Sequence, residues 1–287
     1  MAIQTATTGQ LANAQRIAIE QARYTAEHSA PCVNLVEHMR LEQGEKSVVV
    51  PNVGQMTASS LTDGVDLVAS EDIGMTTTTL TTSEVGLKVI LTDKLVRQQN
   101  EDMFRVVGRQ MGDAVARKKD TDVISLFSAF NGGTTLGVSG ASLTLQNLGA
   151  CIAFAKANKF PSPVSVVHHP NAIFRTVLNT TLIPSLTNPL PHGFSEDLLR
   201  DFYKFVLNQV AVFEDGNITS GVAAVGAIFS MSAAAFLEQV GFNTERQRDA
   251  SLRATELVVT TDYGVFELDD TYAAPMTYTS AAPSTSA

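Results

Sequence analysis

The sequence lacks the common catalytic signatures. There is no GxSxG elbow (GVSGAS at Gly137–Ser142 is not one), no phosphate loop ending GK[ST], no GxGxxG fingerprint and no HExxH helix. His168 and His169 adjoin Asn171 at one remove, yet adjacent strand residues point to opposite faces and no third ligand is spaced for a metal. These absences argue against an enzyme, so no catalytic residue, cofactor or metal ligand is assigned.

Cysteine is scarce as well. Cys32 and Cys151 are the two present, far apart and without a second Cys or His at ligand spacing, which suits a reducing compartment and two buried thiols. No apolar run approaches the ~20 residues needed to span a bilayer. The first residues, MAIQTATTGQLANAQ, show no basic segment followed by an apolar core, so no secretory signal is expected. Positive charge is in deficit: the net charge is -9 and the pI about 5.0. Phosphate backbones and anionic membrane surfaces repel such a chain, and any role near nucleic acid is containment or a local contact. From Ser47 through Leu87 there is no Lys, Arg or His, while Asp63, Asp66, Glu71, Asp72 and Glu84 all fall there.

What is present suffices for a core. The 287 residues are 44% hydrophobic, enough for one large domain or two smaller ones. Residues Gln10 to Ser29 carry Leu11, Ala14, Ile17, Ala18 and Ala22 at helical spacing, ended by Pro31: an Ala-rich helix with little to bury, read as an arm lying on something else. Lys46 to Ile73 alternates β-prone runs (Ser47–Val50, Val65–Ala69) with Pro51, Gly54 and Gly64, predicting a long thin hairpin that needs a neighbour's support. TTTTLTTSEVGLKVILTD then predicts a strand with Val85, Leu87, Val89 and Leu91 on one face.

A long helix follows. Asn100 offers an N-cap, Glu101 and Asp102 complement the dipole, and the pattern continues to Phe127, roughly 40 Å at the helical rise. Met103, Phe104, Val106, Val107, Met111, Ala114 and Val115 share one arc; Arg105, Arg109, Asp113, Lys119 and Asp120 lie on or near the other. Its five cations (Arg105, Arg109, Arg117, Lys118, Lys119) balance five anions (Glu101, Asp102, Asp113, Asp120, Asp122), which gives no net positive face to grip phosphate. Lys118 and Asp122, four apart, project onto the apolar side. Either they pair with each other and with loop backbone, which is the simpler reading, or they serve an intersubunit contact.

Beyond Asn131-Gly132-Gly133 the pattern is mixed. Helices are predicted near Leu145–Lys159, Pro170–Leu182 and Ser195–Asn208, and strands near Val164–Val167, Val210–Glu214 and Val222–Phe229. A closing hairpin is predicted from Ala254–Thr261 and Val265–Leu268, turning at Asp262-Tyr263-Gly264, and then a loosely held polar tail.

This succession resembles the major capsid protein of Hong Kong 97-like tailed bacteriophages. It is carried by TDGVDLVASED, the Thr-rich strand, AVARKKDTDVISLF, the mixed insert with VSVVHHPNAIF, and RATELVVTTDYGVFELDD, and it spans nearly the whole chain without any one diagnostic motif. It implies an α+β capsid fold with an N-terminal arm (1–44), an extended loop (45–75), a peripheral domain with a spine helix (76–135), an axial domain (136–245), a closing hairpin (246–275) and a tail (276–287). It further implies copies of the chain joined as pentamers and hexamers in a virion shell assembled in the bacterial cytoplasm. The shell would enclose DNA without sequence-specific binding, with portal, scaffolding and decoration proteins as partners and no membrane. The arm is short and begins at Met1, so scaffolding is expected to be a separate protein. Asp63, Asp66, Glu71 and Asp72 would lie at the subunit interface formed by the extended loop. The family's prototype joins subunits by an isopeptide bond from an extended-loop lysine to a neighbour's asparagine; here the nearest amines, Lys46 and Lys88, sit at the loop's base, so a non-covalent shell is expected. The alternative within the same fold is an encapsulin, the shell of a bacterial nanocompartment.

Overall fold

The computed structural model describes residues 32–42, 44–53, 74–98, 102–178 and 204–282, with positions 56, 58, 60, 61, 63, 64 and 66 between them. The helix expected over Gln10–Ser29 lies outside the described residues. The described chain starts with a tight turn at Cys32–Leu35 and enters β1 (Glu37–Arg40) and β2 (Ser47–Asn52). The Thr-rich run is two strands that part at Thr82: β3 (Thr76–Thr81) pairs antiparallel with β2, and β4 (Ser83–Thr92) joins a different sheet. The ribbon is therefore closed by β3. The strand expected over Val65–Ala69 falls, apart from Asp66, outside the described residues.

Two helices follow, α1 (Asp93–Gln98) and α2 (Asp102–Leu126). The apolar arc of α2 packs Val107, Met111 and Val115 onto Val89 of β4 and onto Leu257 and Val259 of a long strand from the other end of the chain. Its last turns lead to Phe127 and Phe130, whose rings meet Phe229 at 5.5 and 6.1 Å.

The mixed segment gives α3 (Leu145–Ala157), β5 (Val164–His168), α4 (Pro170–Leu178), β6 (Lys204–Leu207), β7 (Val210–Glu214) and β8 (Ala224–Ser230). Thr144 caps α3, its hydroxyl accepting from Asn147 N at 3.1 Å. Residues 204–207, expected at the end of a helix, form a strand instead. Asn208 and Gln209 both adopt positive φ, 52° and 68°, the two-residue geometry that joins β6 to β7 as a hairpin.

The chain ends in β9 (Ala234–Asp249), β10 (Ala254–Glu267) and β11 (Ala273–Tyr278). One sheet has the order β1-β9-β10-β4 and the other β11-β8-β5-β7-β6. A cluster of buried side chains joins them: Cys32, Val36, Val123, Phe127, Phe130, Val167, Phe229 and Phe236 among others.

Three expectations for this region are corrected. The hairpin turns at residues 250–253, where the Asp249 carboxylate accepts from Ser251 N at 2.8 Å and Leu252 N at 3.1 Å, and β10 runs unbroken through Asp262-Tyr263-Gly264. Gly264 marks a close crossing: a Cβ there would stand 2.4 Å from the Thr81 carbonyl. Second, β9 crosses the boundary expected at 245/246 as one strand, and β11 crosses that at 275/276. Third, the tail is anchored through residue 281, because β11 pairs with β8, Ser280 is fully buried, and Asn171 and Arg175 donate to the Ser280 and Ala281 carbonyls.

Candidate assembly surfaces and a buried acid network

The β2–β3 ribbon has a core only at its base. Val48 and Val50 turn one face toward Leu41, Leu80 and Leu237. On the opposite face Val49, and beyond the base Val53, Met56, Leu61 and Met75, are all more than half exposed. Exposed apolar side chains gathered on one thin ribbon are the kind of surface that marks an interaction site. Asp63 and Asp66 are exposed in the same loop, Asp63 beside the turn at Gly64, whose φ is 78°. Glu71 and Asp72 lie outside the described residues.

Lys118 and Asp122 do meet, one helical turn apart on α2, with Nζ 2.5 Å from Oδ1. The Lys118 side chain is 53% exposed, so the pair lies at the edge of the packed face, not within it. Asp122 has a second partner that the helix pattern does not reveal: Tyr263 on β10 donates its hydroxyl to Oδ2 at 2.7 Å.

Of Lys119 and Asp120, assigned by periodicity to the water-facing arc, Asp120 is buried and Lys119 half-buried. The polar arc of α2 is itself covered near its C-terminal end by the Cys32–Val36 segment and by the loop after β7. Lys119 reaches Glu238 at 2.7 Å and lies over the stacked Phe236 and Tyr263 rings, 5.5 and 5.4 Å from their centroids.

Asp120 is completely buried. Its Oδ1 accepts from Cys32 N at 3.1 Å and its Oδ2 from Asn217 Nδ2 at 2.9 Å. Cys32 Sγ donates to Asp215 Oδ2 at 3.2 Å, and Asp215 Oδ1 accepts from Asn217 N at 2.8 Å. Burial and a hydrogen bond with the Asp215 carboxyl push Asp120 up to about 8. Burial and the two nearby carboxyls push the Cys32 thiol well above its ordinary range. The ligand-type atoms of Cys32, Asp120 and Asp215 lie within 4.8 Å of one another, a spacing a cation would fit. Each is already engaged by a hydrogen bond to another member.

His168 ends β5, fully buried, with Nδ1 accepting from His169 N at 2.8 Å. Nε2 makes no full hydrogen bond, and burial holds the imidazole down at about 4, with the His169 charge adding to the effect and the Met276 backbone opposing it. The ring packs on Gly226, where a Cβ would come within 2.5 Å of it. A neutral, sealed imidazole with no access to solvent suits packing, not proton transfer. Among the described residues no helix is long and apolar enough to cross a membrane.

Residues 75–274, more than half of the chain, match the phage capsid protein family. None of the curated proteins is significantly similar in sequence. The fold is similar to that of a Mycobacterium phage Che8 structure (17% identity, TM-score 0.68, covering 88% of this chain and 92% of that one). It is also similar to the capsid of cyanophage Pam1 (8% identity, TM-score 0.67, covering 99% and 100%). The SrpI encapsulin of Synechococcus elongatus shares it too (13% identity, TM-score 0.62, covering 100% of both chains). The ribbon with its uncovered apolar edge, the long helix across one sheet and the second sheet beyond it thus coincide with a family match, and the chain belongs to the phage capsid protein family, with the Hong Kong 97-type α+β fold of a major capsid protein.

Proposed function

We propose that this chain is the repeating unit of a closed icosahedral phage shell, arranged in pentamers and hexamers and enclosing double-stranded DNA. The half built on the four-stranded sheet and α2 takes the peripheral position, and the half built on the five-stranded sheet the axial one. The observation that carries the reading is the ribbon: Val49, Val53, Met56, Leu61 and Met75 are exposed on an element with no core beyond its base, so it gains stability only when a neighbouring copy covers it. The loop carboxylates Asp63, Asp66, Glu71 and Asp72 are assigned to the rim of that contact, opposite cations or basic residues of the neighbour. The net charge of -9 suits a shell that confines DNA without adhering to it. Portal, scaffolding and decoration proteins are the further partners, assembly takes place in the host cytoplasm, and no catalytic step is assigned.

Deleting Gln55–Asp66 tests this reading. The folded subunit is expected to remain soluble with an unchanged circular dichroism spectrum and to lose closed particles in sedimentation and micrographs. Normal particles from the deletion variant would remove the ribbon from the interface. The encapsulin likeness motivates the second reading, a shell around protein cargo. Particle contents separate the two: packaged DNA supports the phage shell, an enclosed enzyme the nanocompartment.

A further inference from the structure

We propose that Cys32, Asp120, Asp215 and Asn217 form a proton-dependent latch: one proton shared between the two carboxyls holds the Cys32–Leu35 turn against α2 and the loop after β7, and its loss releases the turn. The geometry supplies the elements. Three segments far apart in sequence meet at one dry point, and two fully or nearly fully buried carboxyls face each other there. Among the described residues, their hydrogen-bond donors are Cys32 and Asn217, and none is a cation.

Among the described residues, the hydrogen bonds and ion pairs around the network bring it no cation. On α2, Lys119 is turned to Glu238, and Asp122 is held by Lys118 and Tyr263. On the turn side, Cys32 is a neutral thiol, and the His38 ring is engaged with the Val33 carbonyl. On the β7 side Glu214 precedes Asp215 in the chain. From β5 the network receives only a backbone contact, Asp215 N donating to the His168 carbonyl at 3.0 Å, and the His168 imidazole is neutral.

Two carboxylates this close in a dry interior repel strongly, and water is the relief. Of the elements that enclose them, Asp120 sits inside a 25-residue helix, and Asp215 is tied to β5 through its backbone. The turn is four residues long, held by the Cys32 N and Sγ hydrogen bonds and by the packing of Cys32, Val33 and Leu35 on the core. It is the part that lifts. The shared proton is retained at neutral pH and lost near pH 8, where Asp120 titrates.

Thiol labelling of the intact chain, subunit and assembled particle alike, reads the latch. Mass spectrometry resolves Cys32 from Cys151, which is buried elsewhere and serves as the internal control. Each rate is divided by that of the same thiol in denaturant at the same pH, which removes intrinsic thiol ionisation. The normalised Cys32 rate is expected to rise about tenfold or more between pH 7 and 9.5 as the turn opens, while Cys151 stays protected. Asp120→Asn, which keeps the side-chain size and leaves a single carboxylate while losing one of the two hydrogen bonds that Asp120 accepts, is expected to abolish the rise, as is Asp215→Asn. A flat wild-type profile, a parallel rise at Cys151, or an equal rise in a folded Asn variant would each overturn the proposal. Should both variants fail to fold, carboxyl carbon NMR of aspartate-labelled wild-type protein decides: one carboxyl titrating near pH 8 supports the latch, and none above pH 6 refutes it.

Discussion

Tyr263 donates a 2.7 Å hydrogen bond to Asp122 Oδ2, so the carboxylate that Lys118 holds from the helix side is held from β10 as well. The two partners are not equivalent. Tyr263 is 2% exposed, and burial together with the Asp122 charge raises its hydroxyl above its ordinary range. Lys118 is half in water.

The energetic consequence is asymmetric. Lys118→Met is expected to cost less than about 1 kcal/mol, the scale of a solvent-screened pair. Asp122→Leu strands a buried hydroxyl and is expected to cost about 1–3 kcal/mol. The double variant should match Asp122→Leu alone in urea denaturation. Equal costs for the two single variants, or a double variant restored to wild-type stability, would show that the lysine dominates.

Gly264 fixes how the ribbon is rooted. A methyl group there would meet the Thr81 carbonyl at 2.4 Å and the Phe266 ring at 2.6 Å, and the carbonyl, being backbone, yields only if β3 moves. Gly264→Ala is expected to destabilise by about 1–3 kcal/mol and to raise amide exchange at Thr81 and Leu80. Unchanged exchange at those two positions would mean that the crossing has slack.

His168 makes acid stability a separable quantity. Its folded titration point is near 4, below the unfolded value of about 6.5, so between these values the unfolded chain binds the proton and the folded chain does not. The contribution of neutral His168 is present above pH 6.5 and lost as pH falls toward 4, up to roughly 3 kcal/mol. Asp120 acts in the opposite sense: its raised carboxyl contributes fully below the unfolded carboxylate range and loses that contribution as pH climbs toward 8. Comparing wild type with His168→Gln at pH 7, 5.5 and 4.5 isolates the histidine. The stability difference between the two proteins is expected to change steadily across that range, and a constant difference would show that the imidazole is protonated in the fold.

What was legible in the sequence was what local pattern determines. Val107, Met111 and Val115 repeat at helical spacing and pack as that spacing requires; Val164–His168 is a short apolar strand and folds as one. Asp120 was illegible because the residues that bury it, Cys32 and Asn217, lie 88 and 97 positions away. Asp262-Tyr263-Gly264 has turn composition, yet its glycine answers to Thr81 across a sheet crossing. The true turn did carry a signal, Asp249 followed by Ala250 and Ser251, where an aspartate bonds to backbone two residues on. Pro275 made the tail look irregular, but β11 is an edge strand, where a missing N–H is tolerated.

The shell's closure is expected to be non-covalent. A loop-to-neighbour isopeptide needs an amine near the loop's outer part, and Ser47 through Leu87 contains none. At the base, Lys88 lies on β4 with its Nζ 2.6 Å from Glu256, already engaged within its own subunit. Lys46 immediately precedes β2, where the ribbon begins. Neither is carried outward along the ribbon, so the subunits are expected to be held by exposed apolar side chains such as Val49 and Met75 and by the loop carboxylates. Such contacts yield to detergent and heat. Mature particles boiled in detergent with reductant are expected to run as a single band near 30.6 kDa. A ladder of covalent multimers would overturn this, and mass spectrometry of the linked peptides would then identify the amine that reached across.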